Sequence, residues 1–135
     1  MKSETMEANI TALQIDIKSL GTECAKQAAS FAKVGLSHIE AFANLKRHKA
    51  KLELHKAVLS EHIRQNPVEF GIPKVTETAI QNATIASTIT QDLQKGLDEL
   101  EKEVSEKAVL REAWVQRAGM LESEVAIYQS TKEWL

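Results

Sequence analysis

His48, His55 and His62 recur every seven residues, so any helix that holds them carries all three on one face. Three imidazoles in line invite a metal reading, yet each interval rises about 10.5 Å along a helix. The ligands of one zinc must all come within about 2.1 Å of it. One chain therefore cannot bring two of these histidines to one ion, and only an intersubunit site would remain. No His-Glu-x-x-His occurs, and no Glu lies three residues before any His, so the metalloprotease and di-iron patterns are absent. The histidines read as solvated or interface residues, and no metal is expected. Cys24 has no second Cys in the chain and no nearby His, and it reads as a small buried apolar residue. No glycine-rich phosphate loop, dinucleotide fingerprint or nucleophile elbow is present. No catalytic residue, no cofactor and no enzymatic activity are expected.

The residues that do suggest chemistry are basic. Lys46, Arg47, Lys49 and Lys51 put four positive charges within six residues, and Lys56, Arg64 and Lys74 follow. Over residues 44–75 these seven face only Glu53, Glu61 and Glu69, a balance of +4, whereas residues 92–135 hold six basic and ten acidic side chains. Such a patch suits phosphate contacts that read no bases. Phe70 is the only nearby aromatic outside the apolar stripe, so no multi-base stacking platform is evident. The competing reading is an ordinary solvated helix face that pairs with the acidic C-terminal segment.

The elements that must position this patch are helices. The chain has 135 residues, 43% hydrophobic and 27% charged, with 4% aromatic, five Gly and two Pro. That is too few turn residues for an all-β fold. Seventeen basic and nineteen acidic side chains give net −2, so the whole chain is no polycation. One Cys excludes an internal disulfide framework. No apolar run approaches the ~20 residues of a membrane span, and the start lacks a secretory pattern, so no membrane association and a cytoplasmic location are expected.

Met6, Ile10, Leu13, Ile17 and Leu20 advance by four and three, which predicts a helix over 4–20, capped by Ser3 or Thr5 and ended by Gly21. A long helix is expected over 22–65, where the run stops at Asn66-Pro67. A reversal follows over 66–75. Thr76 then caps a long unbroken helix over 77–132. Its stripe runs Leu93, Leu97, Leu100, Val104, Lys107, Arg111, Trp114, Ala118, Leu121, Val125 and Tyr128, alternating by three and four. The expected fold is a single all-α domain over 1–135. It is a long antiparallel, coiled-coil-like hairpin with a short N-terminal helix, assembling into a homo-oligomer. Leu93, Leu97, Leu100, Val104, Trp114, Leu121, Val125 and Tyr128 are the expected oligomer interface.

The order of these pieces resembles a known family. A basic helix ending in Lys56-Ala57-Val58-Leu59, a Pro/Gly turn, then Gly71-Ile72-Pro73-Lys74-Val75-Thr76-Glu77-Thr78-Ala79-Ile80 and a long helix is similar to phage recombination mediators of the UvsY type, over roughly residues 40–128. The resemblance implies a small helical protein that forms rings and binds single-stranded DNA. It also implies that the protein helps a RecA-like recombinase replace single-strand-binding protein, in the host-cell cytoplasm if phage-encoded. Lys56 matches the Lys of that family's Lys-Ala-Arg-Leu motif, and Val58 stands where the motif has Arg. Lys46, Arg47, Lys49 and Lys51, one to three turns earlier, would supply the charge. The alternatives are an oligomeric coiled-coil scaffold or adaptor, and a small helical inhibitor of a host protein.

Overall fold

The computed structural model describes the backbone of residues 2–134 and the side chains of residues 6–132. The described chain is all-α, without a strand: α1 Lys2–Ala12, α2 Leu20–Gln65, α3 Glu77–Ala86 and α4 Thr88–Trp134, with 3-10 turns at Ile17–Ser19 and Pro67–Phe70. No helix among the described residues is long and apolar enough to cross a membrane. Where length alone suggests one domain, packing divides the chain into two compact units. One comprises residues 1–40 and 105–135, the other residues 41–104.

Two expected helices are cut. The helix expected over 4–20 ends at Ala12, because the amides of Leu13 and Gln14 close a turn onto the carbonyls of Ile10 and Thr11 at 3.1 Å. The Asp16 carboxylate then accepts the Lys18 amide at 3.0 Å and starts a separate turn. Its apolar spacing has little to bury, since Met6, Ile10 and Ile17 are all more than half exposed. Gly21 is not a terminator; it is the second residue of α2. Ser3 and Thr5, the expected caps, lie outside the described side chains. The helix expected over 77–132 is broken at Ser87, whose extended backbone (φ −60°, ψ 131°) ends α3. Thr84, Ser87, Thr88 and Thr90 crowd this junction, and such residues offer the backbone hydroxyl partners outside the helix.

In the unit of residues 41–104, α2 turns Ala41, Leu45, His48, Leu52, His55, Leu59 and Ile63 inward, in steps of three and four. Ile80 and Thr84 of α3 and Thr90, Leu93 and Leu97 of α4 meet them. Each fully buried Leu or Ile here contributes roughly 1.5–3 kcal/mol. A polar seam runs through the same contact. The Thr84 hydroxyl donates to the Ile80 carbonyl at 2.8 Å, so it accepts from Ser60 Oγ at 3.1 Å. His55 Nε2 bonds Thr90 Oγ1 at 3.1 Å, and His48 Nε2 donates to the Leu93 carbonyl at 3.0 Å. Pairing 60 with 84, 55 with 90 and 48 with 93 makes α2 antiparallel to the returning chain.

The reversal follows its letters. Pro67 opens the 3-10 turn, and Gly71 closes it at φ 67°, a left-handed conformation that only Gly adopts freely. The Ile72 amide returns to the Pro67 carbonyl at 3.0 Å. The Thr76 hydroxyl accepts the Ala79 amide at 3.1 Å and caps α3 as expected.

In the unit of residues 1–40 and 105–135, the buried residues of α4 are Trp114, Arg117 and Leu121. Arg117, which the stripe passes over, is 2% exposed. Its guanidinium pairs with the Glu23 carboxylate and donates to Gln27 Oε1 at 2.8 Å, the Leu13 carbonyl at 2.9 Å and the Gln14 carbonyl at 3.3 Å. It also lies 4.9 Å over the Trp114 ring, and Gln27 Nε2 donates to the Trp114 carbonyl at 2.7 Å. The stripe position Arg111 is exposed instead, stacked 5.6 Å over Phe31.

Candidate nucleic-acid interface

Helix α2 carries the basic cluster on the side away from its buried residues. Lys46, Arg47, Lys49 and Lys51 are all exposed. Lys46 Nζ sits 4.8 Å over the Phe42 ring, and Arg47 donates to Asn44 Oδ1 one turn earlier. At about 100° of rotation per residue the four do not form one line. Lys49 and Lys51, two residues apart, point to opposite flanks. Lys46 and Lys49 share a strip with Glu53 and Lys56, while Arg47 and Lys51 share another with Leu54 and Val58.

Of the remaining predicted contacts, Lys56 and Arg64 have partners of their own. Lys56 is half-buried and pairs with Glu53 at 3.8 Å. It borders a small cavity of about 240 Å³ with Thr90, Gln94 and Asp98, below the ~300 Å³ where ligand pockets begin. Arg64 clasps both carboxylate oxygens of Glu77 at 2.9 and 2.8 Å and lies 3.7 Å from Glu61, so it closes the reversal. Lys74 is exposed in the loop before α3. Four of the seven predicted cations thus lie exposed within six residues of α2. Lys56 continues the strip of Lys46 and Lys49 but is half-buried and paired, and Arg64 and Lys74 stand apart at the reversal.

The expected oligomer interface is largely occupied within the chain. Leu97, Trp114 and Leu121 are buried, and Leu93, Leu100, Val104 and Val125 are half-buried, each inside its own unit. Of the eight, only Tyr128 is exposed. Within one chain, then, this stripe packs largely against the chain itself.

His48 and His55 are half-buried and hydrogen-bonded in the seam, so they are in-chain structural groups rather than solvated ones. His62 is exposed and meets Phe70 edge-on at 5.5 Å. No group of three or more His, Cys, Asp or Glu side chains that could hold a metal occurs among the described residues. Cys24 is exposed rather than buried, at the edge of a groove formed with Leu121 and Val125. Compared with known proteins, the chain matches no family model, no curated protein sequence and no solved structure.

Proposed function

We propose that this chain is a non-catalytic helical mediator of recombination. In this reading it binds single-stranded DNA without reading its sequence, and it helps a RecA-like recombinase take the place of single-strand-binding protein. The observation that supports the DNA-binding part is the exposure of Lys46, Arg47, Lys49 and Lys51 within six residues of one helix. Lys and Arg contacts to phosphate position a strand and carry no base information. Lys46 and Lys49, one turn apart on one flank of α2, suit a flexible single strand crossing the helix, and Arg47 and Lys51 add charge on the other flank. The mediator part rests on the resemblance carried by residues 40–128. It requires a homo-oligomer, in which weak patches reinforce one another.

The test is anisotropy of a labelled oligo-dT. Each phosphate neutralised on a single strand contributes a slope of about 0.7 in log K against log salt, so four contacts lose about two log units between about 50 and 300 mM. Replacing Lys46, Arg47, Lys49 and Lys51 by Ala removes both the binding and the slope. An intact protein that binds no DNA at the lower salt overturns the proposal. A scaffold or adaptor is the second reading, favoured by the exposure of Leu54, Val58, Ile85 and Ile89 in the unit of residues 41–104.

A further inference from the structure

Two strips in the unit of residues 41–104 are left over by its own packing. On α2, Arg47, Lys51, Leu54 and Val58 follow one another by four, three and four residues and share one strip. Leu54 and Val58 are 66% and 62% exposed. On α4, Ile89, Asp92 and Glu99 follow by three and seven and share another; Ile89 is 60% exposed, and both carboxylates are exposed. Neither strip faces the core, which takes Leu52 and Ile63 from α2 and Thr90 and Leu97 from α4.

Each strip has an apolar end and a charged end, and the charges are opposite. Arg47 lies eleven residues from Val58, about 16 Å along the helix, and Ile89 lies ten residues from Glu99, about 15 Å. The seam bonds from His55 to Thr90 and from His48 to Leu93 make the helices antiparallel. The apolar ends therefore lie at one level and the charged ends at another. A two-fold axis along the helices keeps those levels and lays the α2 strip of one copy on the α4 strip of the next. Leu54 and Val58 then meet Ile89, while Lys51 and Arg47 meet Asp92 and Glu99. We infer that this face pairs with a second copy of the same chain. The contact is isologous, each copy supplying both strips. It engages Arg47 and Lys51 with the second copy, so the paired form offers phosphate the exposed Lys46 and Lys49 of each copy, and the pairing itself does not depend on DNA.

Light scattering of the full chain without DNA tests this, so its outcome is independent of the anisotropy titration. The wild type is expected at twice the chain mass, and Leu54→Glu with Val58→Glu at the chain mass with unchanged helical circular dichroism. Arg47→Glu with Lys51→Glu, and separately Asp92→Lys with Glu99→Lys, each weaken self-association roughly a hundredfold, since like charges then face each other. Mixed together, the two charge-reversed proteins recover the dimer, because every contact in the mixed pair is again between opposite charges. If the apolar double variant fails to fold, the charge-reversal pair decides. A wild type at the chain mass at all concentrations, or two folded charge variants that do not associate on mixing, overturns the inference.

Discussion

Arg117→Met isolates the interaction that holds the start of the chain in place. Arg117 and Glu23 are both buried, and the guanidinium reaches Glu23, Gln27 and the carbonyls of Leu13 and Gln14. Removing one member of such a pair strands the other charge, which costs about 3–5 kcal/mol. The thioether side chain restores most of the volume over Trp114, so packing loss is the smaller contribution. Replacing both members, Glu23→Leu with Arg117→Met, removes the stranded carboxylate. It leaves only the two carbonyls and Gln27 short of a donor, at about 1 kcal/mol each. The double variant is therefore expected to be more stable than Arg117→Met alone by about 1–2 kcal/mol. Urea unfolding followed by Trp114 fluorescence in a Trp134→Phe background reads this unit directly, with circular dichroism as the global measure. A loss below about 1 kcal/mol for Arg117→Met, or a double variant no better than the single one, would refute the reasoning.

Three further outcomes follow from the other unit. A Cβ on Gly96 would stand 3.0 Å from His48 Nε2 and 3.2 Å from its Cε1, and His48 is held by the Leu93 carbonyl. Gly96→Ala is thus expected to destabilise by about 1 kcal/mol despite its helix propensity, and to stabilise by up to about 1 kcal/mol once His48→Ala clears the space. Thermal melts of the four proteins show whether the sign changes. Gly71→Ala meets no atom within 4 Å but keeps φ at 67°, so unfolding should register a pure backbone cost of about 1–2 kcal/mol. The Arg64–Glu77 pair is bidentate yet exposed at both ends. A double-mutant cycle should give a coupling under about 1 kcal/mol, and a larger value would mean that the pair is shielded from water.

Local chemistry was legible in the letters. Asn66-Pro67 ends α2, Thr76 caps α3, and the three-four alternation of Leu93, Leu97 and Leu100 lies on the covered side of α4. Features set by distant partners were not. Arg117 stands outside the apolar stripe, and its burial depends on Glu23, 94 positions away, as counter-charge. The stripe was continued through Arg111 and Ala118, but the turn of α4 that buries Trp114 also buries Arg117. The Met6-to-Leu20 alternation is real as spacing, yet the Asp16 carboxylate caps the Lys18 amide and starts a new turn inside it. The break at Ser87 carried a signal, since the Ser/Thr-rich run from Thr84 to Thr90 has weak helix propensity. The basic cluster was found from charge density alone. Its division into two strips, one continued by Leu54 and Val58, follows from the rotation of the helix, and the burial of Leu52 and Ile63 shows that both strips face away from the core.

The hydrogen bonds from Ser60 to Thr84, His55 to Thr90 and His48 to Leu93 also govern how the chain can change length. They act as rungs at fixed heights, each set by a residue count on both rails. Deleting one residue between His48 and Ser60 rotates everything beyond it by about 100°. At least one rung is lost, and the apolar side chains past the deletion turn toward water. No single substitution elsewhere undoes that rotation. Between Pro67 and Thr76 the hydrogen bonds are those of the turn and of the α3 cap, and none of them is a rung, so residues added between Ile72 and Thr76 leave every rung in place. Descendants of this sequence are therefore free to gain and lose residues in the reversal, while the helices on either side of it change by substitution at constant length.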